Sequence, residues 1–154
     1  MSPSPTVSAP SAVSAHPRLS VNSVSSWGQP LAADIAMWRD LGLDHVALIL
    51  PKLDDVGWDA ARRMVTEAGL RVSTIFGPTY RPMDADRAPG GTWDEDQRRT
   101  VETVEWAASA GAASIYVCTG AAATLGWDEA AASFAELVAP AVARGAALGV
   151  PVLL

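Results

Sequence analysis

The chain has 154 residues, a formal net charge of −6 and a sequence pI of about 4.7, with 49% hydrophobic and 18% charged residues. That length holds one domain with a core, and the acidic balance argues against nucleic acid or an anionic membrane as partner, because phosphate binding needs a basic surface. The single cysteine, Cys118, excludes an intramolecular disulfide and a cysteine-cluster metal site, and no apolar run reaches the length expected of a bilayer-spanning segment.

Residues 1–17 are Ser, Pro and Ala with almost no large apolar side chains. Such a segment buries too little surface to offset its chain entropy and is expected to be a disordered tail. It lacks the basic start and apolar stretch of a secretory signal, so a cytoplasmic protein is expected. Residues 18–154 are read as one domain.

The first strand is predicted at residues 18–25, followed by the loop Ser26-Trp27-Gly28-Gln29-Pro30. Pro30 suits a helix start, and Leu31, Ile35, Trp38 and Leu41 repeat at helical spacing. The second strand, residues 45–50, is apolar on both faces, as strands covered on both sides are. Pro51-Lys52-Leu53 leaves its C-terminal end. The second helix opens at Trp58-Asp59 and closes at Ala68-Gly69, and the third strand covers residues 71–76.

A long loop, residues 77–91, then carries Pro78, Pro82 and Pro89. Its length places it among functional rather than plain connecting loops. The third helix opens with Thr92 and Glu95 at capping-box spacing, the fourth strand covers residues 114–118, and the fourth helix, with Pro140 as an expected bend, runs from Trp127 to Leu148. The run Val150-Pro151-Val152-Leu153-Leu154 reads as a fifth, buried parallel strand. Gly42, Gly69, Gly111 and Gly149 end the four helices, each accepting the left-handed conformation of a helix C-terminus. Trp58, Trp93 and Trp127 each precede an Asp at a helix start and are expected to staple the helix entry to the core.

Four βα units and a fifth strand admit two α/β architectures. One is an open parallel doubly wound sheet. The other, preferred here, is the first part of a (β/α)8 TIM barrel, truncated relative to the roughly 250 residues of a whole barrel. The first unit lacks the Gly-x-Gly-x-x-Gly turn of a dinucleotide site, and no Walker-type loop occurs.

The run from Arg98 to Leu154 carries a resemblance. Glu105-Trp106-Ala107-Ala108 leads through Gly111 to Ile115-Tyr116-Val117, followed by Leu125-Gly126-Trp127, Phe134, Leu137, Pro140 and Gly149-Val150. In this order the chain resembles the xylose-isomerase-like TIM barrels, the sugar phosphate isomerase/epimerase group, over residues 18–154. The resemblance implies a full-length barrel that performs metal-assisted isomerisation or epimerisation on a sugar, sugar phosphate or inositol-type substrate. It implies a divalent metal (Mn, Mg, Co or Zn) held by residues beyond Leu154, so no metal ligand and no catalytic residue is assigned here. The 154 residues alone are expected to be inactive. The related AP endonuclease barrels place histidines after early strands; Gly77-Pro78 and Thr119-Gly120 hold none.

Candidate substrate-binding residues are those at strand C-termini. Trp27 offers a face to a sugar ring or packs in the core, and Phe76 forms a pocket wall or a core layer. Lys52 meets an anionic group or stays solvated, and Thr119 donates hydrogen bonds to a substrate oxygen. Tyr80 and Arg81 lie on the long loop as candidate substrate cover, and Asn22 is a candidate for pointing into the barrel. Cys118 has no basic neighbour in sequence and is expected to be an inert buried thiol. His16 lies in the tail and His45 at the opposite end of its strand. The expected partner is a small-molecule sugar or polyol, without nucleic acid or membrane. A homo-oligomer or a missing C-terminal half, in a non-catalytic half-barrel or an α/β binding module, is the alternative.

Overall fold

A computed structural model describes residues 16–154, so most of the segment read as a tail lies outside the described residues. Five strands, β1 (Ser20–Asn22), β2 (His45–Ile49), β3 (Arg71–Thr79), β4 (Ile115–Cys118) and β5 (Val152–Leu153), form one parallel sheet in the order β1-β2-β3-β4-β5. Five helices intervene: α1 (Leu31–Asp40), α2 (Leu50–Val56), α3 (Trp58–Glu67), α4 (Thr92–Ser109) and α5 (Trp127–Leu148).

The strand order equals the chain order. A doubly wound sheet reverses direction at a switch point and puts helices on both faces. Here every crossover advances the same way, and right-handed crossovers then place all helices on one face. The doubly wound alternative is thereby set aside. Val46, Leu48, Val72, Ile75, Ile115 and Val117 join Leu31, Trp38, Leu53, Val65, Val104 and Leu137 in one core between sheet and helices. Alternate positions face the other way, where Phe76 stacks on Tyr116 with centroids 4.7 Å apart and planes 7° apart. Asn22 Nδ2 donates to the Tyr116 hydroxyl at 3.4 Å across this concave face.

The four glycines expected at helix ends, Gly42, Gly69, Gly111 and Gly149, all have φ between 66° and 73°. Other expectations are corrected. The first strand stops at Asn22, because its side chain accepts the Val24 N–H at 2.9 Å and turns the chain into a 3₁₀ segment, Ser23–Ser26. Leu50, expected to end the second strand, and residues 51–56, expected to be loop, form α2, with Pro51 at its first turn, where a missing N–H costs nothing.

The third strand runs on to Thr79, so Tyr80, expected on the open loop, begins that loop inside the core, 5% exposed. The capping box at Thr92 is not made: Gly91 is the N-cap and Glu95 binds Arg81 instead. Trp93 is buried and Trp58 is half-buried, but Trp127 is 83% exposed and staples nothing. Cys118 is exposed, because it follows buried Val117 on the opposite face of β4. The fifth strand is buried only in part: Val150 is in the core, whereas Leu153 and Leu154 are exposed. Contrary to the sequence reading, α5 is long and apolar enough to cross a membrane by length and composition alone. Here it packs Phe134, Leu137 and Ala141 into the core, with Pro140 inside it.

Lys52 is not solvated. Its side chain is 4% exposed and pairs with Asp34, 1% exposed. The ammonium also donates to the Ser26 carbonyl at 2.8 Å, and the Ser26 hydroxyl donates to Asp34 Oδ1 at 2.6 Å. The pair thus ties α2, α1 and the segment before Trp27 together. Tyr80 forms a second buried polar link, its hydroxyl 3.0 Å from Thr100 Oγ1, which donates in turn to the Asp96 carbonyl at 2.7 Å. Burial pushes the Tyr80 phenol up to about 12; the Thr100 bond opposes this and the Asp96 charge adds to it.

Two outcomes are expected. Lys52→Met leaves the Asp34 carboxylate buried and unpaired and costs about 3–5 kcal/mol in urea denaturation, and Asp34→Asn added to it recovers part of that loss. A cost under about 1 kcal/mol would mean that the pair does not anchor the fold. For Tyr80, the folded phenol stays neutral to a higher pH than the unfolded one. Its contribution is therefore complete below the ordinary phenol value near 10 and lost as pH rises toward 12. Tyr80→Phe should remove that alkaline slope from the urea midpoint between about pH 10 and 12; an identical slope in the variant would refute the assignment.

Candidate functional site

In a parallel sheet with all helices on one face, the loops after the strands gather at a single end. Three of them enclose a cavity of about 470 Å³. The loop after β1 contributes Trp27, and the chain after β2 contributes Leu50, Pro51 and Asp54. Residues 76–79 at the end of β3, with Arg81 beyond them, form the floor and one wall. Glu95, Asp96 and Arg99 from the first turns of α4 close the far side.

The charged groups in this wall are paired. The Arg81 guanidinium donates through Nη2 to Asp96 Oδ1 at 2.8 Å, Glu95 Oε2 at 2.9 Å and the Thr92 carbonyl at 3.2 Å. Its Nε and its backbone N–H each reach Asp96 Oδ2 at 3.4 Å. Arg99 Nη2 donates to both oxygens of Asp54, at 2.6 and 2.5 Å, and its guanidinium lies 4.9 Å from the Trp58 ring centre. The bond from Arg81 holds the Glu95 carboxyl below the usual carboxylate range, and the two carboxylates push Arg81 further up. Glu95 so held is a weaker base than a free carboxylate.

Arg81 is placed by backbone packing as well as by charge. A Cβ on Gly120 would lie 2.0 Å from the Arg81 carbonyl oxygen, so only glycine lets the loop after β4 lie against the loop after β3. The same two loops are joined by Met83 N–H donating to the Ala121 carbonyl at 2.8 Å and by the Thr124 hydroxyl donating to Asp84 at 2.6 Å. The Thr124 bonds lower the Asp84 carboxyl.

Of the four candidate residues, Trp27 and Phe76 line this cavity together. Lys52 does not, since its ammonium is committed to Asp34 and Ser26 behind the loop. Thr119 lines a different, apolar hollow of about 760 Å³ between the loop after β4 and α5, with Met83, Trp127, Phe134 and Leu154. Asp54, Glu95, Asp96 and Arg99 were not anticipated. Their signal was present as acids and an arginine in the first turns of helices that follow strands, at spacings that a surface helix shares. Among the described residues, no three His, Cys, Asp or Glu side chains gather as a metal-holding group. These residues do not fit the divalent metal that the resemblance implies, and no step is derived through one.

No protein-family model and no curated protein matches the chain. Solved structures do. An AP endonuclease, family 2, from Brucella melitensis is 19% identical with a TM-score of 0.69, the match covering 89% of this chain and 54% of that one. A xylose isomerase domain containing protein from Salmonella typhimurium is 18% identical with a TM-score of 0.63, covering 88% and 48%. A sugar phosphate isomerase/epimerase from Parabacteroides distasonis is 14% identical with a TM-score of 0.64, covering 96% and 54%. The chain thus spans about half the length of the solved chains it matches. Its fold is that of four βα units and a fifth strand of a (β/α)8 TIM barrel.

Proposed function

We propose that the chain is the substrate-binding front half of a sugar isomerase- or epimerase-like barrel. The observation that carries this reading is the cavity at the strand C-termini, where two aromatic faces, Trp27 and Phe76, meet a wall of paired guanidiniums and carboxylates. An aromatic ring covers the C–H face of a pyranose, furanose or cyclitol. Paired acids and arginines supply both acceptors and donors to its hydroxyls. The solved folds that it resembles include a sugar phosphate isomerase/epimerase, which supports the same substrate class.

Proton transfer beside a carbonyl needs a base and an electrophile, commonly a carboxylate with a divalent metal. The described residues offer neither a free base in the cavity nor a metal-holding group. In this reading those groups come from the complementary half of the barrel. The charge of −6 weighs against the nucleic-acid branch of the fold, where a phosphodiester backbone must be held.

A second reading, a half-barrel completed by a partner chain, draws on the apolar hollow along α5. It also draws on β1 and β5, each of which pairs with one neighbour only among the described residues. Sedimentation equilibrium separates the two: a discrete complex favours completion in trans.

The binding reading is tested on the chain itself. D-fructose should shift the Trp27 indole and the Arg81 and Arg99 resonances in a ¹H–¹⁵N titration. Trp27→Ala should weaken that binding roughly five-fold, the loss of about 1 kcal/mol of stacking. Shifts confined to residues away from the cavity would refute the assignment.

A further inference from the structure

The charge arrangement of the cavity narrows the ligand further, on the premise that the cavity is the sugar site. Three carboxylates, Asp54, Glu95 and Asp96, face two guanidiniums, Arg81 and Arg99. A phosphate ester needs a cation whose charge is not already neutralised. Among the residues of this wall none is on offer: Arg81 donates through Nη2 to Glu95 and Asp96, and Arg99 donates through Nη2 to both oxygens of Asp54.

The start of α4, the nearest helix N-terminus, carries Asp94 and Glu95 in its own first turn, and Asp94 already accepts the Gly90 N–H at 2.8 Å. The one lysine at this end of the sheet, Lys52, is sealed behind the wall in its pair with Asp34. An incoming phosphate would meet guanidiniums whose charge a carboxylate already neutralises, and it would face the net negative charge of the wall. Hydroxyl groups face no such cost, since each accepts from a guanidinium edge and donates to a carboxylate lone pair without breaking the pair.

We infer that this cavity takes an uncharged sugar or polyol and rejects the phosphate ester of the same sugar. The discrimination is built into the wall by the two acids on Arg81, so it acts on any ligand that brings a dianion to this side of the site.

The test is a pair of NMR titrations of the full chain at about 0.15 M salt, with D-fructose and with D-fructose 6-phosphate. The expected result is binding of D-fructose at Trp27, Arg81 and Arg99, with the phosphate ester at least ten-fold weaker. In Glu95→Gln, an exposed position whose loss frees one edge of Arg81, that ratio should narrow severalfold. Phosphate ester binding as tight as, or tighter than, the neutral sugar overturns the inference and leaves the sugar-binding reading in place. A ratio unchanged in Glu95→Gln also overturns it, since the acids would then not be the cause. If neither ligand shifts the cavity residues, the sugar-binding reading fails and the inference with it.

Discussion

Everything in this structure depends on one geometric constraint: five parallel strands laid down in the order of the chain. Parallel neighbours need a crossover, crossovers are right-handed, and repetition in one direction leaves every helix on one side. The sheet is therefore dry on its helical face, where Leu48, Ile75 and Ile115 are fully buried, and open on the other, where Phe76 and Tyr116 stack half-exposed. The same constraint sends every strand's C-terminus to one end. Three successive loops then wall a single cavity without being close in sequence.

The units of this fold were legible in the chain because their signals are local. A glycine after a helix and an apolar run such as that of β2 need no knowledge of tertiary contacts; the four glycines stand where expected, and each expected strand is present with its ends shifted in some cases. What failed were local signals that tertiary partners redirected. Glu95 has the spacing to cap its own helix, but Arg81 offers it a charged partner, and a charge-assisted bond outweighs a cap. Lys52 looks like an exposed strand-end lysine, and nothing nearby in sequence announces Asp34, eighteen positions earlier on the preceding helix. Asn22 sits in an apolar stretch that reads as strand, yet its side chain competes for the backbone and ends it.

The candidate site divides along the same line. Trp27 and Phe76 were named because aromatic residues at strand ends stand out in a sequence, and the structure places both on the lining of one cavity. The ionic wall opposite them was missed because acids and arginines in the first turns of surface helices are ordinary there. Only the turn of the chain after Thr79 brings Arg81 over the start of α4 and makes a wall of them. Thr119 shows the reverse case: a polar residue at a strand end that faces the apolar side of the fourth crossover.

Gly120 gives this arrangement an adjustable joint. It touches no ligand surface of the cavity, yet its missing side chain is what lets the Arg81 carbonyl settle against the neighbouring loop. Any residue with a Cβ there would lift the backbone that carries the guanidinium, and the two acids would be left facing a displaced cation. The electrostatic character of the cavity wall is thus governed from the adjacent strand's loop. A change of spacing at position 120 would alter that wall while every residue lining the cavity keeps its identity.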